Sequence, residues 1–426
     1  MVTADQAESA PVLDLFPDTA AVVDGELVLG GLAAADLAQA YGTPLLVYDE
    51  ATLRADARAY CEAAPGALVV FGTKAFPNVA VLRLLAEEGF GADVSTLGEL
   101  RFALAAGLTG DRLVVHGNNK SDEELHAAAE ARALVVLDSL EELDRARAAG
   151  AARLLVRLTP GIDADTHEAI RTGHHGSKFG LDPADALELI RRAPELEGLH
   201  VHIGSQLFDA DEALAAVDWI VSFAALAQVE PGWTPRTIDV GGGIGVPTAP
   251  DEQRLDVREI VGAVAARLAS SLEQAGLPSA KLVLEPGRSV AARAGVTLYT
   301  VGSVKTTSTG TTFVAVDGGM SDNPRPALYG ARYTALVAGR ADAEPDGEYA
   351  VAGKHCESGD VLIDRVALPA PQRGDLLAVP STGAYTLAMS SNYNAVPRPA
   401  AVLVGDGEAQ LIRRRETVDD LLALED

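Results

Sequence analysis

The chain has 426 residues, 48% of them hydrophobic and 22% charged, a balance that excludes a disordered, collagenous or fibrous polypeptide and suits one large domain or two. Against 61 Asp and Glu stand 34 Lys and Arg, a net charge of −27 that repels polyphosphate and anionic lipid, so neither nucleic acid nor a membrane surface is an expected partner. No apolar run is read as approaching the roughly 18 to 20 residues of a bilayer span. The opening MVTADQAESAP lacks the pattern of a signal peptide, and two cysteines, Cys61 and Cys356, make no disulfide framework, so a cytoplasmic protein is expected.

In chain order, short strand-like pieces at 21–23 and 26–29 precede a helix. From residue 67 a rhythm sets in of β-branched apolar run, polar or Gly-rich turn, then Ala/Leu helix. The predicted strands cover 67–74, 90–96, 112–117, 133–139, 153–160, 198–205, 237–243 and 281–288. Helices lie between them, as at 78–88, where Val79, Leu82 and Leu85 share a face, and at 182–191, where Pro183 suits a first turn. About eight βα units over roughly 250 residues match an α/β TIM barrel, here 36–293, with its active site at the C-terminal strand ends. Beyond residue 293 the pattern becomes alternating strands with Gly and Pro turns, at 295–304, 311–317 and 376–379. A mostly antiparallel β domain is expected from 294–426 together with 1–35.

The expected strand ends carry the chemistry. Lys74 closes the apolar run ALVVFGTK, where a desolvated lysine forms a Schiff base, although alone it also fits a lysine snorkelling to the rim. The last strand ends in Glu285-Pro286-Gly287-Arg288, beside the first once a barrel closes; a plain Lys74 to Glu285 ion pair fits that placement too. The preceding strand ends in Gly241-Gly242-Gly243-Ile244-Gly245, a bare backbone suited to a phosphate. His200 and His202 share one strand face, followed by Gly204 and Ser205. No acid set completes a metal site around them, so no metal is assigned; packing is expected of His200 and ring stacking of His202. A lysine, an acid, a phosphate cradle and a flat imidazole together describe a pyridoxal phosphate site.

With these residues in hand the chain resembles the diaminopimelate decarboxylases, in the alanine-racemase-like class of pyridoxal phosphate enzymes. The likeness runs from Tyr41-Gly42-Thr43-Pro44 to Ser390-Ser391-Asn392-Tyr393-Asn394. It rests on FGTKAFPN around Lys74, GADVSTLGEL from Gly91, HGNNKSDEEL from His116, THEAIRTG from Thr166, SKFG from Ser177 and HIGSQ from His202. GGGIG from Gly241, EPGRS from Glu285, RPALYG from Arg325, CESGD from Cys356 and GAYTLAMSSNYN from Gly383 complete it. The resemblance implies decarboxylation of meso-2,6-diaminopimelate to L-lysine, a TIM barrel with a C-terminal β domain, and a homodimer with composite active sites. It further implies that Lys74 carries pyridoxal 5'-phosphate as an aldimine, that His202 stacks on the ring, and that Glu285 faces the pyridine nitrogen. Ser205, Gly242, Gly243 and the Glu285, Pro286, Gly287, Arg288 turn would hold the phosphate, and Tyr385 would touch cofactor and substrate. Cys356, from the other subunit, would protonate the carbanion, while Arg288, Arg325, Tyr329 and Glu357 would grip the substrate's far end. The chain departs from the family pattern after the lysine, at Ala75-Phe76-Pro77-Asn78, and in the loop of His174, His175 and Gly176.

The residue types suit that substrate. Arg288 and Arg325 match a distal carboxylate by charge-assisted hydrogen bonds, Tyr329 adds a neutral donor, and Glu357 accepts from the distal ammonium. Ornithine or lysine would leave paired arginines without a partner, and carboxynorspermidine is kept as the closer competitor. A racemase is disfavoured by an acid at Glu285, and a cofactor carrier by the presence of Cys356, Glu357, Arg288 and Arg325. Free cysteines are most often small buried hydrophobes, the reading kept for Cys61; His355 and Glu357 around Cys356 favour a proton donor there. The acidic runs 122–124 and 141–142 read as helix first turns or solvated faces, and Lys178 takes no firm role.

Overall fold

The computed structural model describes residues 10–160, 178–202 and 204–425. The THEAIRTG motif, His174, His175 and Ser177 lie outside these residues. The chain forms two compact units, one of Met1–Ala55, Val246–Arg254 and Val290–Asp426, the other of Asp56–Gly245 and Leu255–Ser289.

The second unit is a closed barrel of eight parallel strands. They are β1 (Leu68–Gly72), β2 (Gly91–Val94), β3 (Leu113–Val115), β4 (Leu134–Leu137), β5 (Leu154–Leu158), β6 (Gly198–Val201), β7 (Thr237–Asp239) and β8 (Lys281–Leu284). Runs such as LVVF and LVVL are apolar on both faces, the pattern of strands covered on both sides. Leu68 and Val70, Leu134 and Val136, with Val114, Leu155 and Val283, pack into one cluster, the two-residue spacing putting each pair on one strand face. β8 closes on β1 through the registers Val283 to Leu68 and Leu284 to Val69. Each strand stops short of its expected end, β1 at Gly72 and β6 at Val201, because the residues beyond leave the ladder to form the loops that carry the functional side chains.

Side-chain caps start the intervening helices. Asn78 caps Val79–Glu87, Thr96 caps Leu97–Ala105, and Ser121 closes a capping box on Asp122–Glu130. Asp182 caps Pro183–Arg192, with proline in the first turn. Each cap satisfies a helix N–H that would otherwise be unpaired, worth about 1 kcal/mol.

One expectation needs correction here, and one needs refining. The helix Ala210–Val229 has the length and mean hydropathy of a membrane span, contrary to the sequence reading. Its apolar side, including Val217, Ile220, Val221 and Ala224, is nevertheless buried, and Asp218 on it pairs with Arg267 of Val257–Gln274. It is a barrel helix whose hydropathy comes from alanine and core-facing aliphatics. Glu142, read with Glu141 as a helix first turn or a solvated face, does open the helix Glu142–Ala148, but it is 5% exposed and sits 2.7 Å from Lys120. Lys120 Nζ also donates to the carbonyls of Gly117 and Val136, so the buried charges are fully bonded. Removing either partner would strand the other, at a cost of roughly 3–5 kcal/mol.

The first unit is mostly antiparallel. A central strand, Gly295–Thr306, pairs antiparallel with Leu45–Asp49, Leu376–Val379 and Thr312–Val316. Two pairings are parallel, Thr312–Val316 with Gly347–Ala352 and Leu45–Asp49 with Ala400–Gly405. Val361–Leu368 and Glu408–Arg413 end the sheet. The small hairpin of Ala21–Val23 and Glu26–Leu29 sends Leu27 and Leu29 into the same core as Val47, Val296 and Val402. The β unit therefore takes more of the N-terminal segment than 1–35. Leu45–Asp49 is buried throughout, and its run LLVYD followed by the helix Glu50–Ala63 imitates a βα unit in sequence while pairing with the β sheet.

Candidate active site

In the second unit, side chains converge at the C-terminal ends of the barrel strands. Lys74 lies in the short 3-10 turn after β1, and its Nζ is 3.0 Å from Asp93 Oδ2 of β2. The ion pair considered with Glu285 is thus formed with Asp93, although the Pro286 carbonyl accepts from the Gly72 N–H of the adjoining β1. Glu285 instead meets two histidines. His116 Nε2 is 2.5 Å from Oε1, and His200 Nε2 is 3.5 Å from Oε2. The His116 and His200 rings meet edge to face, 4.8 Å between centroids. Asp239, fully buried at the end of β7, accepts from the Gly241 N–H at 2.9 Å.

Burial and charge sort these groups. Burial pushes Glu285 up, but the imidazoles of His116 and His200 outweigh it and hold its carboxyl well below the usual range. Asp239 goes the other way, raised well above the usual range by burial and then by Glu285. Burial draws His200 down to about 3. Burial and the charge of Lys74 draw His202 down to about 4. At neutral pH, His202 is therefore an uncharged flat ring, its Nδ1 accepting from the Gly242 N–H at 3.4 Å.

Close packing explains the glycines after β7. A Cβ on Gly242 would lie 2.2 Å from the Glu285 carbonyl oxygen, and one on Gly243 2.4 Å from that of Gly204, so only a bare backbone lets these loops meet. The Gly243 carbonyl accepts from the Leu207 N–H, tying the loop to the segment that holds Ser205. Ser205 Oγ is 3.4 Å from Arg288 Nη2, so these two residues also meet.

The first unit holds the remaining expected residues. Cys356 is exposed, and its N–H donates to Asn394 Oδ1 at 2.9 Å. Glu357 accepts from the Tyr393 hydroxyl at 3.3 Å, so CESGD and SSNYN form one surface. Behind it Asp360, 3% exposed, accepts from Met320 N–H and, at 2.8 Å, from His355 N–H. Arg325 is buried, and its Nη1 donates to the Tyr333 hydroxyl at 2.5 Å, whereas Tyr329 is 67% exposed. Tyr385 holds a left-handed backbone, φ 59°, between buried Ala384 and Thr386. A tyrosine kept there against its preference fits a side chain aimed by its loop.

The buried acid Asp322 accepts from the Tyr299 hydroxyl and from Gly319 N–H. Burial, reinforced by Asp360 and Asp317 against those bonds, pushes its carboxyl up to about 7. A raised acid stabilises most where both states keep the proton, so its contribution is full below about pH 4 and is lost as pH rises towards 7. The thermal midpoint is expected to fall between about pH 5 and pH 8 more steeply in the native chain than in Asp322→Asn; parallel profiles would contradict this.

Sequence reasoning passed over Asp93, His116, Asp239 and Tyr333, and assigned His200 to packing. Asp93 and His116 sit inside the quoted motifs GADVSTLGEL and HGNNKSDEEL, and Asp239 directly precedes the glycine run. The available signal was a charged residue ending an apolar strand, the one that singled out Lys74.

A lysine at the first strand end, an anionic buried acid at the last, a neutral imidazole and a side-chain-free loop between them define the site of a pyridoxal-dependent enzyme on a TIM barrel. The family model for the pyridoxal-binding domain of pyridoxal-dependent decarboxylases matches residues 50–292. Over 98% of its length the chain is 45% identical to the diaminopimelate decarboxylase of Actinosynnema pretiosum subsp. auranticum, covering 97% of that protein. It is 41% identical to that of Bacillus subtilis (strain 168), with 94% and 95% covered. The diaminopimelate decarboxylase of M. jannaschii in co-complex with L-lysine matches with a TM-score of 0.90 at 33% identity, over 96% of this chain and 98% of that one. A lysine/ornithine decarboxylase from Vibrio vulnificus, complexed with putrescine, matches at 0.75 and 25% identity, over 87% and 97%. The chain belongs to the diaminopimelate decarboxylase family.

Its cofactor is pyridoxal phosphate, and the residues present fit that group. Glu285 is buried and held ionised, so its carboxylate is an acceptor suited to a ring N–H. The glycine loop leaves its backbone N–H groups uncovered by any side chain of its own.

Proposed function

We propose that this enzyme removes carbon dioxide from meso-2,6-diaminopimelate to give L-lysine, the last step of lysine biosynthesis. The observation that carries the reading is that Lys74 and a Glu285 held ionised beside His116 and His200 stand at the same end of one barrel. When bound, pyridoxal phosphate supplies a conjugated ring that takes up the electron pair left at Cα as the carboxylate departs. Lys74 holds the cofactor covalently, Glu285 keeps a proton on the pyridine nitrogen, and neutral His202 lies against the ring. Ser205, Gly242, Gly243 and the Glu285, Pro286, Gly287, Arg288 turn bind the phosphate, with Tyr385 against cofactor and substrate.

Arg288 and Arg325 bind the substrate's distal carboxylate, Tyr329 donates to it, and Glu357 accepts from the distal ammonium. Guanidinium forks suit this task, since a substrate without the carboxylate forgoes their charge-assisted hydrogen bonds. The Tyr333 hydroxyl on Arg325 supports the assignment by orienting its fork. The Cys356 thiol delivers a proton to Cα once carbon dioxide has left. The enzyme works as a homodimer in the cytoplasm, each site drawing Cys356 from the other subunit. Incubation with meso-diaminopimelate and pyridoxal phosphate is expected to yield lysine and carbon dioxide in equal amounts. Cofactor bound without release of either product would overturn the reading in favour of a carrier.

A further inference from the structure

Three buried acids, Asp93, Asp239 and Glu285, reach the barrel's C-terminal end from β2, β7 and the turn after β8. The first has Lys74 as its counter-ion, and the last has His116 at 2.5 Å and the uncharged His200 at 3.5 Å. Among the described residues Asp239 has no ion-pair partner: Oδ1 takes the Gly241 N–H, and Oδ2 is buried with no hydrogen bond. Ligand atoms of Asp239, Glu285, His116 and His200 all lie within 4.8 Å of one another, so the Asp239 carboxyl, at zero exposure, sits beside a second carboxylate. Two ionised carboxylates at that separation in a desolvated site repel strongly, and such pairs keep one proton between them.

We propose that Asp239 and Glu285 form a one-proton pair in which Asp239 is the carboxylic acid. Asp239 is then a positioning residue. Its O–H donates to Glu285, leaving Glu285 a single negative charge and a fixed direction, while its other oxygen anchors Gly241 at the start of the glycine loop. One side chain thereby sets the spacing between the acid and the loop assigned to the cofactor's nitrogen and phosphate. The inference rests on the reading of Glu285 given above, and the direction of the Asp239 titration agrees with it. The groups facing Asp239 are Asp93 of β2, His116 after β3, His200 of β6 and Glu285 after β8.

Infrared spectra and kinetics of the holoenzyme test this. Above about pH 8, where Asp322 has lost its proton, the native enzyme is expected to show a protonated-carboxyl stretch that Asp239→Asn lacks. Asp239→Ala, with no donor, should lower kcat about 10- to 100-fold with KM within about twofold, and the isosteric amide of Asp239→Asn, which still donates to Glu285, should restore most of that loss. No such stretch in the native enzyme, its persistence in Asp239→Asn, or an Asp239→Asn as slow as Asp239→Ala would overturn the proposal. Glu285→Gln separates the two readings. If that variant turns over at the native rate, the role of Glu285 fails, whereas the stretch still reports on the proton itself.

Discussion

Lys74→Ala is expected to lower turnover by roughly 10³-fold or more, because the variant loses the only covalent hold on the cofactor in this account. Borohydride reduction of the native holoenzyme should fix the cofactor on the peptide that contains Lys74. The other lysines near barrel strand ends are poor competitors. Lys120 is buried and already donates to Glu142, Gly117 and Val136, and Lys178 lies over the Phe179 ring at 4.8 Å. Burial also lowers the Lys120 ammonium, against the pull of Glu142, but its three acceptors leave the nitrogen no freedom to reach a carbonyl. Mass analysis that finds the reduced cofactor on Lys120, or Lys74→Ala turning over at the native rate, would refute the assignment.

Cys356→Ala carries the second large effect, a fall in kcat of about 10²- to 10⁴-fold, the range for a positioned proton donor. Cofactor binding should be unaffected, since every residue assigned to the ring and phosphate except Tyr385 belongs to the barrel unit. The stability of the variant should stay within about 0.5 kcal/mol of native, because the side chain is exposed and its backbone N–H keeps the bond to Asn394. A Cys356→Ala enzyme with full activity would remove the thiol from the reaction. Cys61 is the internal control. Its thiol points at the Glu88 carbonyl, 3.4 Å away, and is raised by burial, so Cys61→Ala should act on packing alone.

Much of this architecture was legible in the chain because barrel strands are buried on both faces and so write themselves as uninterrupted aliphatic runs. All eight were found, from Leu68–Gly72 to Lys281–Leu284, each within a few residues. Leu45–Asp49 was missed as a member of the β sheet for the same reason: an apolar strand before a helix looks alike whichever sheet receives it, and only long-range pairing with Gly295–Thr306 and Ala400–Gly405 decides. Ala210–Val229 poses the same difficulty for a helix, since local hydropathy cannot tell one packed on a barrel from one suited to lipid.

At the site, Lys74 and Glu285 stood out because each is a charge where an apolar run ends. Their actual partners did not. The Lys74 to Asp93 pair joins neighbouring strands whose register is set by the closed barrel, and Glu285 meets His116 across it. Asp239 was hidden by its neighbours, the glycines drawing attention to the loop and away from the acid that anchors it. Glu142 shows that two adjacent acids in a polar stretch need not share an environment: its neighbour Glu141 is exposed, while Glu142 is buried against Lys120.

The most direct measurement is carbon dioxide release by the purified enzyme with pyridoxal phosphate, comparing meso-diaminopimelate with L-lysine, L-ornithine and carboxynorspermidine. Release from meso-diaminopimelate alone, matched by lysine, is the predicted result, because only that substrate offers both a carboxylate for the arginines and an ammonium for Glu357 beside a second amino acid centre. Preferred release from lysine or ornithine would contradict the account, since Arg288 and Arg325 would then be left without the anion they are assigned to bind.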